Sequence, residues 1–91
     1  MGFYIYIIQS EKDGSYYKGF TENPVNRLIL HNNGHTRSTK NLTPWKLVYV
    51  EECYSKREGL IREKNIKKAT RERLAAIIAH PKNIVIKFTV D

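Results

Sequence analysis

Residues 3–20 constrain this chain most. Phe3-Tyr4-Ile5-Tyr6-Ile7-Ile8-Gln9 is dense in aromatic and β-branched side chains, which fit a pleated, packed strand. Asp13-Gly14 then supplies turn chemistry, because glycine takes positive φ freely. Tyr16-Tyr17-Lys18-Gly19-Phe20 reads as the second arm of an antiparallel hairpin. Gly19, near the end of that arm, marks a place where something approaches the backbone closely.

After the hairpin, Asn23 reads as an N-cap with Pro24 at the first helical position. Val25, Leu28 and Ile29 repeat at i, i+3, i+4 and are expected to form the buried stripe of a short helix. Asn32-Asn33-Gly34 ends it with residues suited to a left-handed cap. From His35 to Pro44 no apolar period survives, and the segment reads as an exposed loop rich in donors. Trp45 to Glu51 is a third strand. Ser55, with Glu58 three residues on, has capping-box spacing for a helix carrying Leu60, Ile61 and Ile66 as its apolar residues. Thr70 caps another, with Leu74, Ala75, Ile77 and Ile78, and Pro81 breaks it. Residues 84–90 are expected to form a late strand or an ordered arm. The pattern predicts an α+β fold, a small three-stranded antiparallel sheet flanked by helices. Its domain spans residues 1–80, with 81–91 as a C-terminal tail or added strand.

At 91 residues the chain has room for one domain. Its formal charge of +7 is uneven, since ten Lys and Arg against four acidic residues fall in residues 54–91. A basic excess gathered in one half points to a polyanion, with nucleic acid first and an anionic membrane surface second. The single cysteine, Cys53, excludes an internal disulfide and a multi-cysteine zinc site. No apolar run approaches the ~20 residues that span a bilayer. No leader pattern opens the chain, so a reduced cytoplasmic protein is expected.

Glu63 is the oddest residue. At 100° per residue it falls between Ile66 and Leu60, on the stripe expected to face the sheet. An inward carboxylate is costly unless it is paired or binds a metal, and the pattern leaves both open, with an ion pair the commoner outcome. Arg27 and His31, four apart, share a helix face. Arginine offers a phosphate two parallel hydrogen bonds, and histidine exchanges a proton near neutral pH. By pattern alone, that face reads as a solvated flank. Tyr6 and Tyr17 sit on paired strands, where such residues usually pack half-buried with a wet hydroxyl.

Taken together, these residues resemble the GIY-YIG nuclease superfamily. Its two strand motifs are represented here by Tyr4-Ile5-Tyr6, with Tyr for Gly, and Tyr17-Lys18-Gly19, with Lys for Ile. Arg27 and His31 match the family's helix arginine and the residue one turn on. Glu63 matches its later metal-binding glutamate. The resemblance covers about residues 3–79 and is nearest to small single-domain members, related to the N-terminal nuclease domain of the UvrC repair protein. It implies a ββαβα core with an extra C-terminal helix. Two further family positions differ: Phe20-Thr21 stands where some members carry lysine, and Ala75 where some carry asparagine.

The resemblance implies an endonuclease that hydrolyses phosphodiesters of nucleic acid, DNA first, in repair or recombination, with Mg²⁺ or Mn²⁺ held by Glu63. Tyr6 or Tyr17 would deprotonate the attacking water, with Tyr17 preferred. Arg27 would stabilise the transition state, and His31 would position water or share the proton transfer. Lys18, Arg37, Lys40, Lys64, Lys67 and Lys68 would hold backbone phosphates, in a positive cluster that Arg71 and Arg73 extend. The alternatives are a weakly active or silent nucleic-acid-binding domain and a protein-interaction module on the same fold.

Overall fold

The computed structural model describes residues 2–89. Its elements are β1 (Phe3–Ser10), β2 (Tyr16–Thr21), α1 (Pro24–Asn32), a 3₁₀ turn (Lys40–Leu42), β3 (Trp45–Cys53), α2 (Lys56–Lys67), α3 (Arg71–Ala79) and a short α4 (Ile86–Thr89). The sheet is antiparallel in the order β2-β1-β3, so the aromatic first strand lies at its centre. This is the expected α+β architecture.

Both sheet faces are covered. Ile5, Ile7, Tyr49 and Cys53 face α2 and α3, meeting Ile66 and Leu74, with Phe20 at the margin. Tyr6, Ile8, Trp45, Leu47 and Val50 face the other way, toward Leu28 of α1 and Ile84, Val85 and Phe88 of the tail. Leu47 and Tyr49 are two residues apart yet point to opposite faces. The β1–β3 register shifts between Ile7 and Ile8, because Ile7 pairs with Tyr49 and Ile8 with Leu47. Val48 is the extra residue, and such a bulge reverses the alternation.

Helix beginnings follow the expected chemistry. The side chains of Asn23, Ser55 and Thr70 accept hydrogen bonds from the backbone N–H of Asn26, Glu58 and Arg73. The expected buried faces do not all hold. Val25 and Ile29 are exposed, and the inward side of α1 is instead Pro24, Arg27, Leu28 and His31. Leu60 and Ile61 are exposed as well, and α2 seats itself through Gly59 and Ile66. A Cβ at Gly59 would collide with the Phe20 ring, so glycine there sets how closely α2 lies on β2.

The tail is not an added strand within the described residues, and Val90 lies outside them. After Pro81 the Asn83 amide docks on the outer edge of β3. Its Oδ1 accepts from Val50 N–H, and its Nδ2 donates to the carbonyls of Val48 and Ile78. Ile84 N–H adds one bond to Val50 O. A side-chain amide thus satisfies an edge that a strand would have paired. The chain then turns into α4, whose Phe88 meets Tyr4 edge-on at 5.4 Å. Tyr4 stands where the family motif has glycine, and its ring supports the docked tail.

Candidate active site

The site begins at a register pair. Tyr6 lies directly across from Gly19, and a Cβ on Gly19 would fall within the Tyr6 phenol. This is the close approach that the glycine signalled. The ring crosses β2 toward α1, where the Tyr6 hydroxyl meets His31 Nε2 at 2.8 Å. Tyr17 shares that sheet face, with its ring centroid 4.9 Å from His31 and 6.5 Å from Tyr6.

His31 is fully buried, and both its ring nitrogens are engaged. Nδ1 lies 2.9 Å from Thr39 Oγ1, so His31 holds protein groups and has no nitrogen left to position water. The solvated-flank expectation fails here because α1 turns this edge inward. Burial, helped by the Arg27 charge, lowers the His31 pKa from its ordinary 6.5 to about 4. Burial also raises the Tyr6 phenol above its ordinary value, opposed by Arg27 and reinforced by Tyr17 and Glu63. At neutral pH the pair is therefore a phenol and a neutral imidazole.

The depressed His31 pKa has a pH signature. The unfolded chain binds this proton at pH 6.5 and the folded chain only near 4, so stability is full above 6.5 and falls as pH drops through that window. The loss should reach about 2–3 kcal/mol. Urea unfolding at pH 7 and pH 4.5 measures it, and His31→Gln should flatten the slope. An equal slope in that variant would assign the effect to other groups.

Arg27 lies half-buried on the inward side of α1. Its Nε is buried and has no hydrogen-bond partner among the described residues. Glu63, one turn beyond Gly59 on α2, is close enough to act on the Tyr6 phenol. Its carboxylate pairs with Lys67 at 3.4 Å, the two side chains being 18% and 53% exposed. Glu63 thus has the ion pair its inward position called for, and a second pair joins Glu51 to Arg62, 3.1 Å apart under α2, with Tyr49 donating to the same carboxylate. Tyr6, Tyr17, Arg27 and His31 gather on one sheet face, whereas Glu63 comes from α2, whose Ile66 packs on the other face, and reaches Tyr6 through its charge alone.

The named cations are more scattered. Arg37 and Lys40 are exposed in the loop, on either side of buried Thr39. Lys64 and Lys68 are exposed at the end of α2, whereas Lys67 is committed to Glu63. Lys18 pairs in register with Ile7 and therefore points to the sheet face opposite Tyr6 and Tyr17. Arg71 leaves the expected cluster. Its guanidinium donates to Gly14 O and covers the Tyr16 ring, tying α3 to the hairpin turn. A cavity of about 310 Å³ lined by Tyr49, Arg62, Arg73, Ile77 and His80 shares no residue with the tyrosine cluster.

Sequence reasoning missed Thr39. The loop read as exposed, yet Thr39 is fully buried, and its carbonyl accepts the Trp45 indole N–H at 2.9 Å. Asn32 holds both ends of the loop together, accepting from Trp45 N–H and donating to Trp45 O. No periodicity announces such a residue, because its burial depends on a strand that follows in sequence.

A family model of the GIY-YIG catalytic domain matches residues 2–75. The chain belongs to the GIY-YIG family. This GIY-YIG protein is 42% identical over 77 residues to a UPF0213 protein of Staphylococcus saprophyticus, covering 84% of this chain and 93% of that one. It is 43% identical over 77 residues to a UPF0213 protein of Clostridium perfringens, covering 84% and 82%. The solution NMR structure of the UPF0213 protein BH0048 from Bacillus halodurans superposes with a TM-score of 0.59 at 27% identity, over 98% of this chain and 95% of that one. Membership makes this a nuclease-family domain, a family whose substrates are nucleic acids. No helix among the described residues is long and apolar enough to cross a membrane.

Proposed function

We propose that this domain is a divalent-metal-dependent endonuclease acting on DNA, with its chemistry on the Tyr6–Tyr17 face. The observation that carries the reading is Arg27. A buried N–H left without a partner costs about 1–3 kcal/mol, so a persistent one suits an acceptor that arrives with substrate. A phosphodiester brings anionic oxygens, which a guanidinium binds in its planar fork. Arg27 would also stabilise the charge that grows as water adds to phosphorus.

Among the described residues no three His, Cys, Asp or Glu side chains gather to cage a metal. A hard ion such as Mg²⁺ or Mn²⁺ needs no such cage, since one carboxylate, waters and substrate phosphate complete its shell. Glu63 fits that part, because its present partner is an exposed lysine at 3.4 Å that a divalent ion can displace. When bound, the ion would neutralise charge on the scissile phosphate and leaving oxygen. Tyr17 would take the water proton as a phenolate, its own proton having passed to bulk water, since it is only half-buried while Tyr6 is 1% exposed and turned to His31. Arg37, Lys40, Lys64 and Lys68 hold backbone phosphates without reading bases.

The test is a cleavage panel on branched, single-stranded and duplex DNA and on RNA, with Mg²⁺ or Mn²⁺. A role in repair or recombination, which we propose from the resemblance to the UvrC nuclease domain, makes branched DNA the first substrate to try. Wild-type protein should nick DNA and stop on chelation, and Arg27→Ala should be about a hundredfold slower. Bound but uncut substrate across the whole panel would establish the silent binding domain instead.

A further inference from the structure

We infer that Thr39 is a positioning residue of this site, its hydroxyl accepting from His31 Nδ1–H and so holding the imidazole that receives the Tyr6 hydroxyl and meets the Tyr17 ring. The catalytic consequence rests on the nuclease reading above, whereas the tautomer does not. A neutral imidazole carries one ring proton, so the contacts at its two nitrogens must differ in direction. In one arrangement His31 Nδ1–H donates to Thr39 Oγ1 at 2.9 Å, the Thr39 hydroxyl donates to Thr36 O at 3.3 Å, and Nε2 accepts the Tyr6 hydroxyl at 2.8 Å. Every proton then has an acceptor.

The reverse arrangement leaves one over. If Thr39 donated to Nδ1, Nε2–H would donate to the Tyr6 oxygen. The Tyr6 proton would then need an acceptor, and among the described residues the hydroxyl bonds only to His31. The Arg27 guanidinium beside it offers donors alone. Tyr6 is buried, so water does not fill the gap, and a buried hydroxyl without an acceptor is penalised.

The rest of the loop holds Thr39 in place for this task. Its N–H donates to Thr36 O, its carbonyl takes the Trp45 indole, and Asn32 binds the Trp45 backbone. Thr39 touches no reacting group. It acts through the imidazole, whose orientation sets the Tyr6 bond and the surface on which the Tyr17 ring rests edge-on.

Nitrogen-15 NMR of the histidine ring shows which nitrogen carries the proton, with or without substrate. Wild-type His31 should be the Nδ1–H form. Thr39→Val keeps the shape but leaves Nδ1–H without an acceptor, so the tautomer should stay while the Nδ1 resonance moves to that of an unbonded N–H. Thr39→Ser should restore the hydrogen-bonded Nδ1 resonance of the wild type. On cleaved DNA, Thr39→Val should lower kcat about tenfold or more with KM unchanged, and Thr39→Ser should recover it. A wild-type Nε2–H tautomer overturns the inference whether or not the valine variant folds. So does a folded valine variant whose Nδ1 resonance is unchanged, or one that loses the Nδ1–H bond and keeps full kcat. An Nδ1–H histidine in a protein that cuts nothing would sink the nuclease reading and leave the tautomer assignment standing.

Discussion

Glu63→Gln is expected to slow metal-dependent DNA cleavage by about a thousandfold or more and to shift the melting temperature by no more than a few degrees. Glutamine keeps the size of the side chain and its place one turn beyond Gly59, but it no longer offers a hard divalent ion an anionic oxygen. Several kcal/mol of charge stabilisation at the phosphate go with it, and each 1.4 kcal/mol is about tenfold in rate. The stability side follows from the observed partner. Lys67 is more than half exposed and 3.4 Å away, and an ion pair of this kind contributes about 0–1 kcal/mol. Had Glu63 been held as Glu51 is, by a less exposed arginine and the Tyr49 hydroxyl together, its loss would cost more. A melt without metal, beside single-turnover cleavage with Mn²⁺, separates the two roles. A large drop in melting temperature with cleavage intact would make Glu63 structural.

What the sequence made legible was local. Asn23, Ser55 and Thr70 act as caps because a side-chain oxygen needs only a backbone N–H three residues away. The hairpin is legible for the same reason, and Gly14 takes positive φ, as the turn requires. Gly19 went further, announcing a close approach across the sheet before the approaching group, Tyr6, was known.

Facing was harder to read. In a helix of nine residues the stripe 25-28-29 and the stripe 24-27-28-31 share Leu28 and differ by about 100°, a little over a quarter turn. Apolarity chose the first, whereas the structure turns Arg27 and His31 inward and leaves Val25 and Ile29 in water. The polar stripe wins because the sheet opposite it presents Tyr6 and Tyr17, whose hydroxyl and rings give His31 partners that a leucine would not need. Two further devices had no local signal. The bulge at Val48 reverses β3 partway along, and the Asn83 amide replaces a strand on its edge. Each depends on a partner far away in sequence. The site was legible as residue types in order, but its wiring was not. Thr39 shows this best, as a buried hydroxyl in a loop that reads as solvated.

The wiring makes the two tyrosines separable. Tyr17→Phe should lower turnover by about two to four orders of magnitude, the usual contribution of a positioned general base, with little change in stability. Tyr17 is half-buried, and its ring, which phenylalanine retains, supplies the packing against His31. Tyr6→Phe should behave differently. It removes the hydroxyl that meets Nε2 of a fully buried histidine, leaving that nitrogen without its partner at a cost of about 1–3 kcal/mol. Its turnover should fall less than that of Tyr17→Phe, because Tyr6 faces His31 and is 1% exposed. Denaturant unfolding and single-turnover cleavage of both variants, at a pH well above the His31 pKa of about 4, give the comparison. If Tyr6→Phe proved the slower enzyme and kept wild-type stability, the water proton would pass through Tyr6 to His31. The base would then be the buried pair, with Tyr17 packing against it.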